Sequence, residues 1–208
     1  MRKFGRPAAL ACLGFACLGF ACLSLAASRA DAAPGKDPDW PCPQARVGDF
    51  PLASVWDGPA IPGETTGWRN DSELATLVAK MAQRRAPMAE VQASVAQLAA
   101  VPEGKPRLLQ AFGAAFDDLM RQRGEIIAGL ERYGRKNHEM ANHIRAENET
   151  AHKEAVPGAG PDEAALQKLQ WDLRVFEDRQ RTAGYVCEAP QAIETRIGEI
   201  ARTVRAAL

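Results

Sequence analysis

The chain has 208 residues, 26 basic and 26 acidic, with five cysteines, three histidines and fourteen prolines. Setting aside residues 1–32 removes Arg2, Lys3, Arg6, Arg29 and Asp31 and leaves 22 basic against 25 acidic. Such a balance excludes a dedicated nucleic-acid or anionic-membrane surface, and about 176 residues suffice for one domain with a sizeable core.

The N-terminal stretch MRKFGRPAALACLGFACLGFACLSLAASRADAAPG has a basic start, an uncharged apolar run from Pro7 to Ser28 and small residues at Ala30 and Ala32. It predicts a secretory signal peptide over 1–32, cut after Ala32, with Ala30 as the second choice. This places the protein in the periplasm. The run is long enough that an uncleaved inner-membrane anchor is the alternative, and membrane contact is expected only in that case. A lipoprotein reading is weaker, because the Phe before Ala-Cys fits a lipidation box poorly. Three cysteines leave with this segment, so Cys42 and Cys187 are expected to form one disulfide in an oxidising compartment.

From Pro34 to Gly63 the chain carries seven of its fourteen prolines. Proline fixes φ and pushes its predecessor out of the helical region. Residues 33–69 therefore read as an extended strap, anchored by Trp40, Phe50, Trp56 and Cys42. An aromatic groove formed by Trp40, Trp56 and Trp68 is the less favoured reading of those rings.

Residues 70–208 read as a helical domain. Asn70 and Glu73 form a capping-box pattern before a helix over about 71–85, whose face is Leu74, Leu77, Val78 and Met81. Pro87 suits the first turn of a second helix over 87–100, with Met88, Val91, Val95 and Leu98 on one face. Beyond Pro106, apolar residues recur at alternating steps of three and four from Leu109 to Ile144, predicting one helix over 105–155, about 75 Å long. GAGPD at 158–162 is a turn with Asp162 as cap, followed by helices over 162–187 and 190–206.

Folding back at that turn pairs Ile144 with Leu173, Met140 with Phe176, Asn137 with Gln180, Arg123 with Glu194, Leu119 with Ile197, Phe116 with Ile200 and Phe112 with Val204. The fold class follows: all-α, a helical bundle body with a long antiparallel coiled-coil hairpin, preceded by the Pro-rich segment. The apolar stripe is doubled between Leu108 and Leu130 and narrows from Tyr133, so an arm is expected to project from the body.

All three histidines fall within NHEMANHIRAENETAH at 137–152. On the seam register, His138 and His152 are too far apart for one ion. Glu139, His143 and Glu147 form a ridge, and Glu149 to His152 gives an ExxH step. A set of Glu139, His143, Glu147 and His152 is thus a candidate metal site, weighed against a solvated charged face that the sequence favours. No catalytic residue is expected, since no G-x-S-x-G, HExxH, phosphate-cradling loop or cysteine beside a base is present. Trp171, beside the seam, is a candidate partner contact, with Phe176 nearby.

The stretches DWPCPQ, VWDGP and LQWDLRVFEDRQRTAGYVCEAPQAIETRI resemble those of uncharacterised exported helical proteins of Proteobacteria. The resemblance covers both cysteine regions; it implies export and the same architecture, and carries over no activity. The expected function is that of a non-enzymatic scaffold, adaptor or chaperone-like protein engaging an envelope protein, or a second copy of itself, through the arm. No cofactor is expected. The alternative is a periplasmic metal-binding or metal-sensing protein using 138–152.

Overall fold

In the computed structural model, residues 37, 39–48, 50–63, 67–153 and 162–208 are described. The signal segment and the 158–161 part of the turn lie outside them, as does the His152 side chain. The helices are α1 (Ser72–Ala82), α2 (Met88–Ala99), α3 (Gly104–Lys153), α4 (Glu163–Cys187) and α5 (Ala189–Ala207), and there is no strand among the described residues. The fold is all-α. Among the described residues no helix is long and apolar enough to cross a membrane.

One buried cluster unites α1, α2, the first part of α3 and α5. On α3, Ala111, Phe112, Ala114 and Ala115 are all buried, so this stretch is covered on more than one side. The small alanines let neighbouring backbones approach closely, and Phe112 fills the space they leave. Ile193, Ile197, Ile200 and Val204 of α5 are buried in the same cluster, as the periodicity requires.

Both ends of α1 depart from the sequence reading. The N-cap is Asp71 and not Asn70, because the strap closes its last turn, a 3-10 turn over Gly67–Asn70, just before the helix. The Asp71 carboxylate accepts from the N–H groups of Glu73 and Leu74 at 3.1 and 3.2 Å, and Arg107 braces it at 2.7 Å. At the other end α1 stops at Ala82, short of Arg85. There the buried Arg196 of α5 donates to the carbonyls of Met81, Ala86 and Lys80 at 3.4, 2.8 and 3.3 Å. A cation on the terminal carbonyls also opposes the helix dipole. Burial pushes the Arg196 pKa down from its ordinary value.

The strap runs over the helices and is less extended than proline content alone suggests, with a further 3-10 turn at Leu52–Ser54. Trp56 and Trp68 pack against the core, Trp56 with its ring 4.6 Å from that of Phe112. The aromatic-groove reading therefore fails for these two rings, which serve as anchors. Among the contacts that fasten the strap to the helices, three stand out. Cys42 is bonded to Cys187, with Cα atoms 5.5 Å apart. Arg123, 2% exposed, donates to Glu194 at 2.7 Å and to the strap carbonyls of Gly48 and Val47 at 2.8 and 2.9 Å. At Gly134 the strap passes so close that a Cβ would stand 1.6 Å from the Asp39 carbonyl oxygen; glycine is required there by space.

Candidate functional site: the outer half of the helical hairpin

The chain folds back as the seam pattern demands. Arg123 meets Glu194, and Arg179 lies 3.5 Å from the Met140 sulfur, within a turn of the expected register. α4 starts with Asp162 as its cap, accepting from Ala164 and Ala165. Past Leu130, Ile144 is the one large hydrophobic residue of α3 that is buried among the described residues. The outer hairpin is accordingly held by a thin seam.

Two of the predicted seam contacts do not form. Leu173, expected opposite Ile144, is 39% exposed, while Leu169 is buried and Asp172 turns partly inward. On the side turned inward Asp172 meets Lys168, one turn away on α4, and Lys168 also reaches Glu147 on α3. The Asn137–Gln180 amide pair is also absent. Gln180 is exposed, and the Asn137 Oδ1 atom is buried with no hydrogen-bond partner.

The inward turn of Asp172 also rearranges the candidate metal ligands. His143 Nε2 lies 3.0 Å from Glu147 Oε1, and Asp172 joins them, one donor atom from each falling within 4.8 Å of the others. Glu139 is exposed and outside this group, and Asp172, from the opposite helix, takes its place. The Lys168 ammonium already bridges the two carboxylates, 2.9 Å from Asp172. Its pKa is raised, first by the Glu147 hydrogen bond and then by that to Asp172. Asp172 is held below the usual carboxylate range, chiefly by Lys168. A divalent cation would have to displace this ammonium. His138 stands apart at the root of the arm, its Nδ1 atom 3.3 Å from Asp39 Oδ1 on the strap.

The outward face of α4 carries a different chemistry. Trp171 is 62% exposed and Tyr185 78%, and Val186 adds exposed apolar area. Fourteen residues separate the two rings, nearly four turns, so they project on the same side roughly 21 Å apart. Arg174 lies over the Trp171 ring at 5.7 Å, and Arg181 pairs with Asp178 at 3.3 Å between them. Phe176, the other residue singled out from the sequence, is half-buried and faces the seam side. Tyr185 falls off the seam register, and its spacing of fourteen from Trp171 is the sequence signal for it.

No family model, curated protein or solved structure matches this chain.

Proposed function

We propose that the chain is a non-enzymatic adaptor, scaffold or chaperone-like protein of the periplasm, exported by residues 1–32, which engages an envelope protein through the outer face of α4. The observation that carries this reading is the pair of exposed rings, Trp171 and Tyr185, on one side of a helix whose other side is already used by α3. Exposed aromatics flanked by arginine are what protein interfaces bury at their centres. Self-association through the same face is the near variant of this reading.

The test is affinity co-purification from native envelope extract, comparing the intact chain with Trp171→Ser/Tyr185→Ser and with a chain lacking about Arg135 to Thr182. A specific partner, or a second copy, lost from both variants supports the reading. Equal recovery by all three refutes it.

The grouping of His143, Glu147 and Asp172 supports a second reading, a periplasmic metal-binding or metal-sensing protein. Zinc titration of the purified chain tests it. Submicromolar binding abolished by His143→Ala and strengthened by Lys168→Met favours this reading; binding indifferent to both changes refutes it.

A further inference from the structure

At the root of the arm the strap and the two helices enclose a cleft of about 540 Å³. That is ample for a small molecule. Trp40 stands on the strap side, and Tyr133 and Asn137, one turn apart on α3, form the opposite wall. The Tyr133 hydroxyl and the Asn137 Oδ1 atom are both buried, and neither has a hydrogen-bond partner. Buried polar atoms are nearly always paired, because leaving them bare forfeits their hydration. Two such atoms on neighbouring turns of one wall of one cleft call for a common cause.

The chemistry of the wall selects the ligand. Asn137 Oδ1 can only accept, so a fully deprotonated anion, although Arg145 also lines the cleft, gives it no donor. A metal cation would find one amide oxygen and a protonated phenol, too few oxygen ligands for a hard cation, while the nearby carboxylate of Asp39 already faces His138. An apolar ligand would satisfy neither atom. A hydroxyl group donates to Asn137 and can both donate to and accept from Tyr133. Trp40, half-buried, also lines the cleft, and an indole ring suits carbon-bound hydrogens as well as hydroxyl groups. Burial pushes the Tyr133 hydroxyl up from its ordinary pKa, which keeps its proton available for donation.

We propose that this cleft binds an uncharged, hydroxyl-rich small molecule of the sugar class, held between the Trp40 ring and the Tyr133–Asn137 wall. Both polar atoms are closed off from solvent, so the ligand reaches them only when the residues around them, strap residues 39–43 among them, move. The Cys42–Cys187 bond limits that movement and keeps Trp40 beside the cleft. The site is independent of the α4 outer face, and the adaptor reading does not depend on it.

The experiment is a two-dimensional NMR titration of the oxidised, full mature chain with maltose and with N-acetylglucosamine, each to tens of millimolar. Inorganic phosphate and a glycine dipeptide serve as counter-probes. The expected result is saturable movement of the Trp40 indole N–H and the 133–141 amides with one or both sugars. Affinity should fall at least tenfold in Tyr133→Phe and in Asn137→Leu, and the Tyr133→Phe chain should melt no lower than the original. Trp40→Ala, on the opposite wall, should cause a similar loss, so the result does not hang on one variant folding. Absence of saturable shifts with either sugar overturns the proposal. So does a response to phosphate or the dipeptide alone, or sugar binding indifferent to all three substitutions.

Discussion

Replacing Arg123 by methionine is the sharpest test of how the strap is held. The guanidinium is 2% exposed and spends three N–H groups on Glu194, Gly48 and Val47, all within 2.9 Å. Removing one member of a buried charge pair costs about 3–5 kcal/mol. Here the upper end does not apply. Glu194 keeps 26% of its side chain in water and Val47 is 53% exposed, so the abandoned acceptors regain hydration once the strap loosens. We therefore expect a loss of about 3 kcal/mol, a large part of the 5–15 kcal/mol typical of a domain. With a urea m-value of about 2 kcal/mol/M, the midpoint falls by roughly 1.5 M. Equilibrium urea unfolding of the oxidised protein measures this, and a cycle with Glu194→Gln separates the ion pair from the strap contacts: the double variant should lose markedly less than the sum of the singles. A midpoint shift below roughly 0.3 M, or strict additivity, would refute the account.

Glycines on α3 predict opposite signs for one substitution. Gly124→Ala, with open space around the new methyl, should stabilise by about 1 kcal/mol, whereas Gly134→Ala drives a Cβ into the Asp39 carbonyl and should lower Tm despite better helix propensity. Replacing Cys42 and Cys187 together by serine frees a loop with a sequence separation of 145 and should cost about 5 kcal/mol in urea unfolding against the oxidised chain, far more than reduction of a short-loop bridge would. Asp71 has its pKa held below the usual carboxylate range, first by the Leu74 N–H and then by Arg107. Its folded pKa is depressed, so its contribution is complete above the unfolded value and is lost as pH falls through the folded one. The stability gap between the original chain and Asp71→Asn, followed by urea unfolding against pH, should be constant above about pH 5 and close toward strong acid; a gap that widens in acid contradicts the cap.

Much of this architecture is written in apolar spacing. The step of three and four from Leu109 to Ile144 has no proline or turn signal to interrupt it, and α3 runs through that whole stretch. Pairing Arg123 with Glu194 was also legible, since two opposite charges at facing seam positions of otherwise apolar stripes have little else to bond. Spacing fails where polar contacts choose among near-equal rotations. Leu173 and Asp172 are adjacent, a step of 100° apart, and it is Asp172, bonded to Lys168, that turns partly inward. The same turn exchanged Glu139 for Asp172 beside His143, a change invisible from α3 alone. Arg196 escaped notice because a cation next to Ile197 on a helical wheel looks like a surface residue; its role depends on where α1 ends, and α1 ends there in part because Arg196 takes its carbonyls. The cap at Asp71 and not Asn70 likewise follows from the preceding 3-10 turn, and Arg107 braces it from thirty-six residues away.

These features divide the molecule by what holds it. The body is held by burial, with residues from four helices closing over Phe112. Beyond Leu130 the apolar seam thins, and its place is taken by the Lys168 bridge and by exposed ion pairs, which contribute little in water. A helix pair with so thin a seam would fray from its tip unless something fixed its root. The strap supplies that fixation where the seam weakens: Gly134 admits its backbone, Arg123 grips its carbonyls, and Cys42 bonds the last residue of α4. Asp39, Trp40 and Pro41 of this crossing line the cleft together with Tyr133 and Asn137, so the segment that stabilises the arm is also one wall of the cleft. A change that moved the strap would therefore act on both, loosening the helix pair that carries Trp171 and Tyr185 as it altered the wall of the cleft.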